Sequence, residues 1–242
     1  MEYQKALADC HGHFGNMLGR QNRLPDAEKE IKTALQIIDE AITRLKGKVS
    51  PSFPEKKSEL LTQLAYRFTK AGRYQEAFDT VTKALETEPR AGTHQSLSRF
   101  LLECPDPKFI DPAAALEHAH KANLLSPYPI LGIRRNLGYA YFATGDWENA
   151  TRVLEDVIKT FESTDPGIGF RLAITSAKQD QRIEGIHWYS RAVLWTREWE
   201  ADEKRIKRLQ SQKEKLDSLK TEAAGLLGIT EQKTNVELRT SK

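Results

Sequence analysis

The run Arg134-Arg-Asn-Leu-Gly-Tyr-Ala-Tyr141 leads through a Thr144-Gly-Asp146 turn into Trp147–Phe161. It reads as a helix, a tight turn and a second helix. Small residues, Gly138 and Ala150 among them, stand where the two helices must touch. A larger side chain there would wedge the pair apart. Gly145 suits the left-handed backbone that closes a helix, because it has no Cβ to clash.

The same signature recurs along the chain. With Ala150 as anchor, Ala27, Ala77, Ala115 and Gly185 take equivalent places, at spacings of 50, 38, 35 and 35 residues. Seven residues after four of these anchors stand Ala34, Ala84, Ala122 and Ala192. Five residues before the anchor, at the handover between helices, stand Asn22, Gly72, Gly145 and Asp180, all tolerant of left-handed backbone. The Ala115 copy departs from this column. It has Ile110 there, then Asp111 as an N-cap and Pro112 as the first helical residue, after a longer loop from Cys104.

Ten prolines divide the chain into helix-length segments, the last at Pro166, and no segment alternates with period two. The expected architecture is all-α, with five helix pairs: about 3–20 with 25–46, 55–71 with 74–88, 92–104 with 111–125, 130–143 with 147–162, and 166–179 with 182–198. A charged helix over about 200–227 follows, ended by Gly228. Its narrow stripe of Ile206, Leu209, Leu216, Leu219, Ala223 and Leu226 is interrupted by Lys213. It is expected to cap the fifth pair, since repeat stacks expose an apolar end unless a more polar helix covers it. The alternative is a coiled-coil dimer, for which two imperfect heptads are few. The expected division is a repeat domain at 1–199, a capping helix at 200–228 and a disordered tail at 229–242.

Leu137, Gly138, Tyr141, Ala150 and Leu154 fall on the pattern of the tetratricopeptide repeat, which the 134–162 stretch resembles. Arg134 stands where that pattern usually has Trp, and Val157 where it usually has Ala. The resemblance implies a right-handed α-solenoid of about five such helix pairs. Three further stretches, Leu7–Gly15, Leu102–Pro112 with its Ala-rich helix, and Glu222–Ile229, are similar to the C-terminal repeat regions of large bacterial serine/threonine kinases. That similarity implies either the regulatory or interaction region of such a kinase, without the catalytic domain, or a free-standing relative, and it implies no kinase activity.

In the tetratricopeptide family the first helix of each pair lines a concave groove. Carried over to this chain, the exposed groove positions are His13, Asn16, Arg20, Gln63, Tyr66, Lys70, Arg135, Tyr139, Arg171 and Lys178. The set is basic and aromatic and contains no carboxylate. Arg and Tyr concentrate binding energy at interfaces, so the groove is expected to take a protein or peptide partner of acidic character. The plainer reading is a solvated helix face. The Lys-and-Asn clamp with which some relatives grip a chaperone's terminal carboxylate is not reproduced by Gly12 with Asn16, Thr62 with Tyr66, or Arg135 with Tyr139.

Other chemistries find little support. Cys10, His11 and His13 point to different faces of a helix and have no partner pair at ligand spacing; His118 and His120 fail the same test. His11 and Phe14-Gly15 instead match helix-packing positions. No phosphate loop, nucleophile elbow or kinase motif occurs, so neither catalysis nor a cofactor is expected. A net charge of +3 is too small to argue nucleic acid, and Lys204–Arg208 lies among acidic residues. Two distant cysteines and the lack of an apolar run long enough for a signal or span point to a reducing, cytoplasmic location with no membrane.

Overall fold

The computed structural model describes residues 2–44 and 50–229. It is all-helical, with no strand among the described residues. The helices are α1 (Glu2–Arg20), α2 (Leu24–Arg44), α3 (Ser52–Lys70), α4 (Tyr74–Thr87), α5 (Ala91–Glu103), α6 (Pro112–Leu125), α7 (Leu131–Thr144), α8 (Trp147–Phe161), α9 (Pro166–Lys178), α10 (Arg182–Ala201), α11 (Glu203–Ser211) and α12 (Lys213–Leu227). The expected end of the second helix at 46 and the expected tail from 230 onward lie outside the described residues. No described helix is long and apolar enough to cross a membrane.

Five hairpins, α1/α2 through α9/α10, form where the small-residue columns placed them. The anchors Ala27, Ala77, Ala115 and Ala150 are fully buried, as are Ala34, Ala84 and Ala192. Gly15 shows why size matters: a Cβ there would lie 2.8 Å from Ile31 Cγ1 and 3.1 Å from the Ala27 carbonyl oxygen. At the handovers Asn22, Gly72, Gly145 and Asp180 all have left-handed φ, between 60° and 77°. The residue after each donates its amide back to the carbonyl of Leu18, Phe68, Tyr141 and Ser176 respectively, closing the first helix before the second begins.

The chain divides into two compact units, Met1–Pro129 and Ile130–Lys242. In unit 1 the core runs through Ala8, Ile31, Ile38, Phe53, Leu60, Phe68, Val81, Leu97 and Phe100. The first helices α1, α3 and α5 are successive neighbours. The long loop before α6 is anchored rather than loose. Phe109 enters a cluster with Phe78 and Phe100, at centroid separations of 5.6 and 5.5 Å. The Asp111 amide donates to the Leu101 carbonyl and its carboxylate caps the Ala114 amide, with Pro112 at the first helical position as expected.

In unit 2, α9 is buried along nearly its whole length, from Pro166 to Ser176. Its largely apolar sequence, with Ile168, Gly169, Phe170, Leu172, Ala173 and Ile174 in one run broken only by Arg171, fits a helix enclosed on several sides. Gly169 lets it meet α10, where a Cβ would lie 2.8 Å from that of Ala192. The span 200–227, expected as one helix, is broken twice. Asp202 leaves helical geometry and caps Lys204, starting α11, and Gln212 separates α11 from α12. The breaks let α12 turn back onto α9 and α10, burying Leu216, Leu219, Ala223 and Leu227. Arg182 fixes its end, Nε and Nη2 donating to the Leu227 carbonyl at 3.1 and 2.9 Å.

Candidate docking face on the first helices

In unit 1 the residues expected on the groove fall on α1 and α3. On α1, His13, Asn16 and Arg20 follow at three- and four-residue steps, which keeps them on one helix face. His13 and Arg20 are exposed and Asn16 is half-buried. On α3, Gln63, Tyr66 and Lys70 form the corresponding row. Tyr66 and Lys70 are exposed. Gln63 donates to Glu59 at 2.9 Å, and its carbonyl oxygen is buried without a partner.

The structure gathers Asn16, Arg20, Tyr66 and Lys70 around two arginines that the repeat pattern does not point to. Arg67, only 8% exposed, donates from Nη2 to Asn16 Oδ1 at 3.0 Å. Its guanidinium lies against Gly19, where a Cβ would come within 2.2 Å of Cζ. Burial pulls its pKa below the ordinary arginine value, opposed by Tyr66 and reinforced by the like charge of Arg20. Arg99, from α5, is the second. Arg67, Arg99 and Lys70 all approach the Tyr66 ring, at 5.2, 5.3 and 5.7 Å from its centroid. None of Arg20, Arg67, Lys70 and Arg99 forms an ion pair with a described residue. Arg67 lies one helical turn after Gln63, but nothing in that spacing marks it as buried and without a carboxylate, and Arg99 has no such relation to the row.

Unit 2 uses the same residue types differently. Asp165, 5% exposed, caps α9 by accepting from the Gly167 amide at 2.9 Å. Its other oxygen, Oδ2, accepts from Arg135 at 3.2 Å and from Arg208 of α11 at 3.0 Å. Arg135 is thus neutralised within the fold. Arg171, expected as an exposed groove residue, is buried. It lies 3.7 Å from the Tyr139 ring centroid and donates to the Gly167 carbonyl one turn earlier at 2.9 Å. The cause is the enclosure of α9, which leaves no open face at that register. Tyr139 is half-buried beneath that guanidinium, and Lys178 is exposed, 6.0 Å from the Trp147 ring. The Asp165-Pro166 start of α9 has the form of an N-cap, but nothing local announces that its second oxygen serves two arginines.

The histidines have other roles. His11 Nδ1 lies 2.7 Å from Glu30 Oε2 across α1 and α2. His118 pairs with His94, Nδ1 to Nδ1 at 2.9 Å, between α5 and α6. Phe14, expected to pack between helices beside Gly15, is 46% exposed. Lys56, as buried as Arg67 and on the same helix, is held by Asp9 at 2.6 Å and Glu59 at 3.1 Å.

Residues 130–164 match the family model of the tetratricopeptide repeat. No curated protein is matched. Among solved structures, the chain is similar to a protein studied in the functional characterization of Pseudomonas aeruginosa pilF, with 15% identity, a TM-score of 0.62 and 99% of each chain covered. It is similar also to PilW, a widely conserved type IV pilus biogenesis factor, with 17% identity and a TM-score of 0.65 over 97% of this chain and 93% of that one. A third is YrrB, a repeat protein with an unusual peptide-binding site, at 18% identity and a TM-score of 0.53 over 83% and 90%. At these identities the likeness establishes the fold: helix pairs of the tetratricopeptide type.

Proposed function

We propose that this chain is a non-catalytic interaction scaffold, and that the first-helix face of unit 1 receives an acidic segment of a partner protein. One observation carries the reading. Tyr66 is partly exposed and ringed by Arg67, Lys70 and Arg99, with Arg20 beside them, and none of these cations is paired with a carboxylate among the described residues. Exposed arginine and tyrosine are the residue types in which binding energy concentrates. A field of one sign also steers an oppositely charged partner toward the face. The helix-pair fold supports the reading by analogy, as does the peptide-binding site of YrrB.

The face in unit 1 is the place to test it. Reversing Arg135 and Arg171 in unit 2 would break internal contacts first. Fluorescence polarisation with a labelled glutamate-rich peptide, against its glutamine counterpart, provides the measurement. The glutamate peptide is expected to bind with an affinity that falls steeply with salt, and Arg20→Glu with Lys70→Glu is expected to abolish binding. Equal affinity for the glutamine peptide, or unchanged binding by the double reversal, would remove the proposal.

A further inference from the structure

Buried charges in folded proteins are almost always paired, because an isolated ion taken out of water is costly. This protein follows that rule at Lys56, which has two carboxylates. Arg67, on the same helix and equally buried, breaks it. Its single hydrogen bond is to the neutral Asn16 carbonyl oxygen, its Nε is buried with no partner, and no described carboxylate reaches it. A guanidinium carries five N–H donors, so most of its capacity is unused. Its seat is nonetheless built. Gly19 has no side chain where the guanidinium lies, and Asn16 fixes one end of it. The charge that acts on it, Arg20, is of the same sign and makes the position worse for the protein alone, while Lys70 and Arg99 border the same Tyr66 ring.

We infer that Arg67 is a preformed hook for one carboxylate side chain of a bound acidic peptide, with Asn16 holding the guanidinium and the Tyr66 ring bordering the site. This rests on the reading of unit 1 as a docking face and narrows it to one residue. Arg20, Lys70 and Arg99 supply the general attraction, whereas Arg67 supplies a desolvated, charge-assisted contact that a solvated lysine cannot match. The arrangement lowers the free protein's stability and recovers the loss when a carboxylate arrives.

The experiment uses the full chain and an acetylated, amidated peptide of alternating Glu and Ala, so that only side-chain carboxylates are offered. The side-chain Nε–H resonance of Arg67 is followed by NMR and affinity by polarisation. Arg67→Met is expected to weaken binding about tenfold or more while leaving the melting temperature unchanged or raised, since an unpaired buried charge has been removed. Lys70→Ala with Arg99→Ala should weaken binding less and flatten its salt dependence, yet leave the peptide-induced shift at Arg67. A melting temperature lowered by Arg67→Met would mark the residue as structural and overturn the inference. Binding retained by Arg67→Met but lost in the Lys70/Arg99 variant would overturn the hook and keep the docking face. No binding by the wild type would end both. Inorganic phosphate shifting the Arg67 resonance where the peptide does not would overturn the carboxylate assignment.

Discussion

At Glu162 the backbone takes a φ of 48°, in the left-handed region that costs a side chain with a Cβ about 1 kcal/mol or more. Glu162→Gly is therefore expected to raise stability by about 0.5–1 kcal/mol, read as an increase of a few degrees in the thermal midpoint. Gly19 bears on binding instead. Gly19→Ala places a methyl where the Arg67 guanidinium now lies, and should cut acidic-peptide binding without removing a charge. Residue by residue, the sequence was most legible where backbone conformation decides. Asn22, Gly72, Gly145 and Asp180 are recognisable because few residues tolerate their φ. Arg67 was harder to see, since nothing in an arginine codon's neighbours reveals whether a carboxylate will fold up against it.

Among the elements, α9 depends on how it begins. Asp165 both caps its first turn and accepts from Arg135 and Arg208. Asp165→Ala should cost about 2–4 kcal/mol, from the lost cap and from the arginines left facing each other. Asp165→Asn keeps the cap and should cost less, so the difference in denaturation midpoint between the two variants measures the charge contribution. At the far end of unit 2, Leu227 is 1% exposed, and Leu227→Ala should cost about 3 kcal/mol through the void it leaves against α9 and α10. Helix pairs were legible because small residues recur at fixed steps. The breaks at Asp202 and Gln212 were not read, because they serve the return of α12 onto α9, a long-range requirement; Asp202 as an N-cap and Lys213 interrupting the stripe are their local marks.

For the molecule as a whole, the two units are expected to differ in their response to acid. His94 and His118 face each other Nδ1 to Nδ1 across 2.9 Å in unit 1. Burial holds both below the ordinary histidine value of 6.5, with the like charges of the partner ring and Lys121 adding to the effect at His94, and with Glu117 and Lys121 opposing each other at His118. The unfolded chain therefore takes up these protons first as pH falls. Stability from this pair is complete above about 6.5 and is lost as pH drops below it, toward the lower folded values. Midpoints at pH 5 should lie below those at pH 7.5, and His94→Asn with His118→Gln should flatten that slope. At this scale the all-helical fold was legible in composition and periodicity. The division after Pro129 was not, since the anchor column steps across it from Ala115 to Ala150 at the same 35-residue spacing that follows to Gly185.

All four tryptophans, Trp147, Trp188, Trp195 and Trp199, belong to unit 2, and the last three are buried in its core. Indole emission is thus a built-in label for one half of the polypeptide, while circular dichroism averages over both. On acidification the ellipticity should begin to fall before the emission spectrum reddens.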